Sequence, residues 1–134
     1  MTRKSIAVLA LILGLAASEA ALACSCAPPP PPQQALEGAD AVFAARVLEA
    51  PEGADTGMKL QVQDSWKGAE CGELEIGAGF ATCMGTFEKG KTYLIYAYRT
   101  KEGGLSTNLC TRTVAIEHAA EDLAALGNPE KSCG

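Results

Sequence analysis

The chain holds a single histidine, no C-x-x-C pair, no basic stripe, no internal repeat and, after Ala23, no long apolar run. Each absence removes a class. With His118 alone and flanked by Glu117 and Glu121, there is no second imidazole for a base pair, and this is the setting of a solvated surface histidine. Ser106 and Thr107 have no evident activating partner, and no phosphate-cradling loop appears. An enzyme is therefore not expected, nor a cofactor. Zinc sites usually bring C-x-x-C pairs or histidines, so a metal of its own is not expected, although C-x-C can bind soft metals. Counting from Cys24, nine Lys and Arg face fifteen Asp and Glu, too acidic a balance for a phosphate backbone. Nucleic acid is not expected as a partner.

What is present begins with a leader. Arg3 and Lys4 form a positive start, Ile6 to Ala17 an apolar stretch, and Ala21-Leu22-Ala23 a small-x-small site, the plan of a secretory signal over residues 1–23. The apolar stretch is short of the roughly 20 residues that a membrane span needs. Cut after Ala23, the protein would begin at Cys24 as one domain over residues 24–134, exported to the periplasm or beyond. A cysteine after the cut also fits an acylated lipoprotein, but Ala21 and Leu22 stand in the reverse of the order such signals prefer. The A-x-A pattern is the stronger signal. All six cysteines, Cys24, Cys26, Cys71, Cys83, Cys110 and Cys133, lie beyond the cut, where thiols oxidise. Three disulfides are expected, and spacing alone leaves many pairings open.

Pro28 to Pro32 fixes φ at successive positions and removes their N–H donors, so the chain leaving Cys26 is stiff and extended. It reads as a strut. Gln33 to Gly38 can form a short helical turn. Asp40 to Ala50 reads as a largely buried strand, with Val42, Ala44 and Arg46 on one side and Phe43, Ala45 and Val47 on the other. Met58 to Trp66 alternates cleanly, Glu73 to Ile76 alternates again, and Lys91 to Tyr98 is rich enough in β-branched and aromatic residues to be central. Leu105 to Leu109 is a short last strand that delivers Cys110. Ile116 to Leu126 places Ile116, Ala119, Ala120, Leu123 and Leu126 at helical spacing, and Gly127-Asn128-Pro129 stops the helix. The pattern predicts an all-β domain with a C-terminal helix, a five-stranded Greek-key barrel of the OB type stapled by disulfides.

The opening C-S-C-A-P-P from Cys24, with Asp40-Ala41-Val42-Phe43, Trp66-Lys67-Gly68 and Lys91-Thr92-Tyr93-Leu94-Ile95 in order behind it, resembles the netrin-like family. Within that family it is most similar to the N-terminal domain of the tissue inhibitors of metalloproteinases. The resemblance implies bridges from Cys24 to Cys83 and from Cys26 to Cys110, leaving Cys71 for Cys133. This last pair departs from the family, whose third bridge starts near the position of Leu36 or Glu37. The resemblance also implies a monomeric inhibitor of zinc metalloproteases, in which the free α-amino group and carbonyl of Cys24 chelate the protease's zinc. Ser25 would enter the primary specificity pocket, with Cys26, Ala27 and Pro28 along the cleft and Ala81, Thr82 and Met84 on the neighbouring edge. Netrin-like domains also occur as non-inhibitory binding modules, and that alternative stays open, with or without acylation of Cys24.

Overall fold

The computed structural model describes residues 24–53, 56–79 and 83–134. The leader, and Ala81 and Thr82 of the expected contact edge, lie outside the described residues. Strands β1 (Ala41–Glu49), β2 (Gly57–Lys67), β3 (Gly72–Gly77), β4 (Thr92–Arg99) and β5 (Leu105–Ser106) form the wall. Their order is β1-β2-β3-β5-β4, and β4 pairs back onto β1, so the barrel of five strands is closed. Every pairing in the ring is antiparallel except β3 with β5.

The two faces of β1 serve two cores, which is why its run A-V-F-A-A-R-V is apolar on both sides. Phe43, Ala45 and Val47 point into the barrel with Met58, Leu60, Val62, Ile76, Tyr93 and Ile95. Val42 points outward and packs with Leu94, Tyr96, Ala119 and Leu126 beneath two short helices. These are α1 (Pro32–Gly38) and α2 (Ala120–Leu126). Pro32 sits in the first turn of α1, where a missing N–H costs nothing. As expected, β4 is central, pairing with β1, β5 and a short strand β6 (Val114–Ala115).

The Trp66-Lys67-Gly68 sequence joins these layers. Trp66 donates its indole N–H to the Gly127 carbonyl at 2.8 Å, and Lys67 Nζ donates to the Leu36 and Glu37 carbonyls at the end of α1. Gly68 follows with φ +69°, and a Cβ there would run into the Asp40 carbonyl. One short motif thus fastens both helices and lets β2 pass close under the start of β1.

Two expectations need correction. The strand expected over Leu105 to Leu109 ends at Ser106, because Asn108 Oδ1 accepts the Cys110 amide at 2.8 Å and turns the chain out of the sheet. The C-terminal helix is also interrupted: Ile116–His118 is a 3-10 turn, and Ala119, at φ −98° and ψ 14°, separates it from α2. The interruption changes the phase of the helix. Ala120 faces solvent, and Asp122 takes a buried place beside Leu126. Gly127 then caps α2, its N–H donating to Leu123. A last strand, β7 (Lys131–Ser132), pairs with β2 and brings Cys133 to Cys71. Among the described residues, no helix is long and apolar enough to cross a membrane.

Candidate functional site

Residues 24–31 belong to no helix or strand, and what fixes them is sulfur. Cys24 is bridged to Cys83 with 5.0 Å between Cα atoms, and Cys26 to Cys110 with 5.1 Å. The third bridge joins Cys71 to Cys133 at 5.5 Å. The first two are the pairs the resemblance implies, and the third is the pair left over. Side chains two apart on extended chain point the same way, so Cys24 and Cys26 reach two neighbouring loops at once. Their bridges are stacked, with Cys24 Sγ at 3.5 Å from Cys110 Sγ. Between and beyond them, Ser25, Ala27 and Pro28 are exposed.

The two receiving loops are held to one another. The Leu109 amide donates to the Cys83 carbonyl at 2.8 Å, and the Gly85 amide to the Ala78 carbonyl at 3.3 Å. Met84, expected on the contact edge, is only partly exposed and packs against the interior core. Leu109, which the sequence reading placed in a strand, stands 57% exposed beside Cys110, and among the described residues it is the one large apolar side chain so presented. The signal that could have found it is Asn108, whose side chain favours a turn over a strand.

Behind the terminus lies a buried polar cluster that periodicity could not show. Asp122, only 4% exposed, accepts from Tyr96 Oη at 2.6 Å, from Arg112 Nε at 2.7 Å and from Arg112 Nη2 at 2.6 Å. Burial pushes the Asp122 carboxyl up, but the hydrogen bonds from Arg112 and Tyr96 and the Arg112 charge together outweigh it and hold the group below its ordinary value. Burial and the bond to Asp122 raise Tyr96, and the same carboxylate raises Arg112. At neutral pH the pair is ionised and the phenol neutral.

The Cys24, Cys83 and Cys110 sulfurs lie within 4.8 Å of one another, near enough for thiolates to share a soft metal, but each is engaged in a disulfide. His118 is exposed and 3.6 Å from Glu117, on the 3-10 turn and not on a helix. Thr107 is buried, its hydroxyl donating to the Tyr96 carbonyl at 2.9 Å, and Ser106 Oγ reaches only the Thr107 carbonyl. What the edge offers is a rigid, exposed stretch of backbone with small side chains, flanked by one leucine. No family model matches the chain, and no curated protein matches its sequence.

Proposed function

We propose that the protein is exported, cut after Ala23, and inhibits a zinc metalloendopeptidase through its new N-terminus. In this reading it is a netrin-like domain. The observation that carries the proposal is the double stapling of Cys24-Ser25-Cys26 at an exposed edge of the barrel. Once free, the α-amino nitrogen and the carbonyl oxygen of Cys24 can close a five-membered chelate. Catalytic zinc keeps one position open, held by water, and the chelate would displace that water. Ser25 enters the adjoining pocket while Cys26, Ala27 and Pro28 lie along the cleft. Bridges on both sides of Ser25 remove rotational freedom before binding, and this preorganisation lowers the ordering cost of the complex.

A second reading, a non-inhibitory binding module, is favoured by Leu109 alone, since an exposed apolar side chain suits any protein partner. One experiment separates them. Protein produced with Cys24 at its terminus is titrated against a panel of zinc endopeptidases, beside a form carrying one extra residue before Cys24. The extension replaces the amine with an amide nitrogen whose lone pair is delocalised, and leaves both bridges in place. Inhibition that collapses in the extended form supports chelation; equal inhibition by both forms excludes it, and inertness of the native form favours the binding module. The intact mass of the exported protein tells a free Cys24 from an acylated one.

A further inference from the structure

The stretch between Cys26 and α1 has an unusual problem of attachment. Pro28 to Pro32 have no N–H, so from Pro28 onward this strap cannot donate hydrogen bonds to the barrel and can be held only by its ends, its packing or its carbonyls. It is exposed from Ala27 to Pro31. Beneath it the wall is hollow: Pro29, Pro30, Ala35, Tyr96 and Tyr98 line a recess of about 290 Å³. Packing therefore supplies only part of the restraint. Among the described residues, one hydrogen bond ties the strap between Ala27 and Pro30 to the rest of the domain, from Arg112 Nη1 to the Pro30 carbonyl at 3.2 Å.

The donor of that bond is itself immobilised. Nε and Nη2 of Arg112 make a two-pronged contact with Asp122, whose Oδ2 also accepts from Tyr96 on β4. Glu121 stands 3.8 Å from Nη2, adding a weaker attraction at the surface. A planar guanidinium gripped on two prongs has its third nitrogen aimed, which an ammonium could not reproduce. We infer that Arg112, anchored by Asp122 and Tyr96, is the positioning residue for the proline strap, and through it sets the angle at which Cys24-Ser25-Cys26 stands from the barrel. The consequence for inhibition rests on the reading proposed above; the placement of the strap does not.

The test uses the bridges as reporters. Cys26–Cys110 ends the strap, whereas Cys71–Cys133 joins the turn between β2 and β3 to the residue after β7 and serves as an internal control. Rates of reduction by a small phosphine are measured for each bridge in the native protein and in Arg112→Lys and Asp122→Asn. A freed strap should speed reduction of Cys26–Cys110 about tenfold in Arg112→Lys, the change that about 1.4 kcal/mol of lost restraint gives, with a smaller rise in Asp122→Asn. The control bridge should not move. Equal acceleration of both bridges would mean a merely loosened fold, and no acceleration would mean that the strap needs no clasp; either overturns the inference. Should the variants not fold, nuclear Overhauser contacts from the Arg112 guanidinium protons to Pro30 in the native protein are expected, and their absence overturns it as well. Inhibition is read in the same samples. If the native protein inhibits nothing, the protease reading fails while the reduction ratios still decide the clasp.

Discussion

The Leu109 amide donates to the Cys83 carbonyl across 2.8 Å, so the loop that carries Leu109 is fastened to the loop that receives Cys24. A partner seated on the terminus, as proposed, would lie close to the loop that presents this leucine. If the protein inhibits as proposed, Leu109→Ser should weaken inhibition several-fold, since fully burying a leucine side chain is worth about 1.5 to 3 kcal/mol and Leu109 is part-exposed in the free protein. Stability should change by no more than about 0.5 kcal/mol, as at other surface sites. Inhibition constants and melting curves for the same preparation check both halves.

Chelation by an amine has a pH signature. An α-amino group ordinarily titrates at about 8 and must be neutral to bind zinc, so the proposed inhibition should weaken progressively as pH falls below that range. Protons should be released on binding, measurable as a dependence of the binding heat on buffer ionisation. Ser25→Gly should leave this profile in place while changing preference among proteases, because it alters pocket filling and not the chelate.

Asp122 predicts an acid limb in stability. Its folded carboxyl titrates below the ordinary value, so the clasp's contribution is complete above pH of about 4 and is lost as pH falls through the lower folded value. The charged and polar groups facing it, Arg112 and Tyr96, with Glu121 beyond Arg112, do not reverse this, since Arg112 and Tyr96 are both raised. Asp122→Ala strands the Arg112 charge and should cost about 3 to 5 kcal/mol at pH 7. The variant's denaturation midpoint should then fall less steeply than the native one between neutral pH and pH of about 2.

Core substitutions should rank by layer. Leu60, fully buried inside the barrel, should cost about 2 to 5 kcal/mol as Leu60→Ala. Leu123, partly exposed on α2, should cost less as Leu123→Ala, because the helix interruption turns it toward the edge of the outer core. Urea titrations of the two variants decide the order.

The Cys71–Cys133 bridge closes a separation of 62 residues, and on chain-entropy grounds its removal by paired serines should cost about 4 kcal/mol. It touches neither Cys24 nor Cys26. Protein that stays folded at low temperature should still inhibit with undiminished affinity, whereas loss of inhibition would show that this bridge also shapes the edge.

Much of this architecture was legible in the chain because its signals are local. Alternation in Met58 to Trp66 and the apolar run of β1 follow from which faces are covered, and Gly127 stops α2 through its own backbone freedom. The misses share another cause. Asn108 ends β5 by a side-chain hydrogen bond that competes with the sheet, and Asp122 occupies a core position only because Arg112, ten residues away, and Tyr96, twenty-six away, converge on it. Periodicity carries no trace of such convergence. Likewise β6 and β7 are two residues each, too short for any pattern, and exist through the strands that receive them.

The barrel is unevenly sewn. β3 and β5 share one rung, Gly77 against Ser106, continued only by the Thr107 amide donating to Gly77 at 3.0 Å. Cys83 lies on the chain after β3, and Cys110 on the chain after β5. Cys24 and Cys26, two residues apart, therefore suture the thinnest seam of the wall from outside. The same two bridges thus seal this seam and hold Cys24-Ser25-Cys26 at the edge. A reduced chain would lack this suture, leaving β3 and β5 joined by that single rung and the Thr107 amide alone.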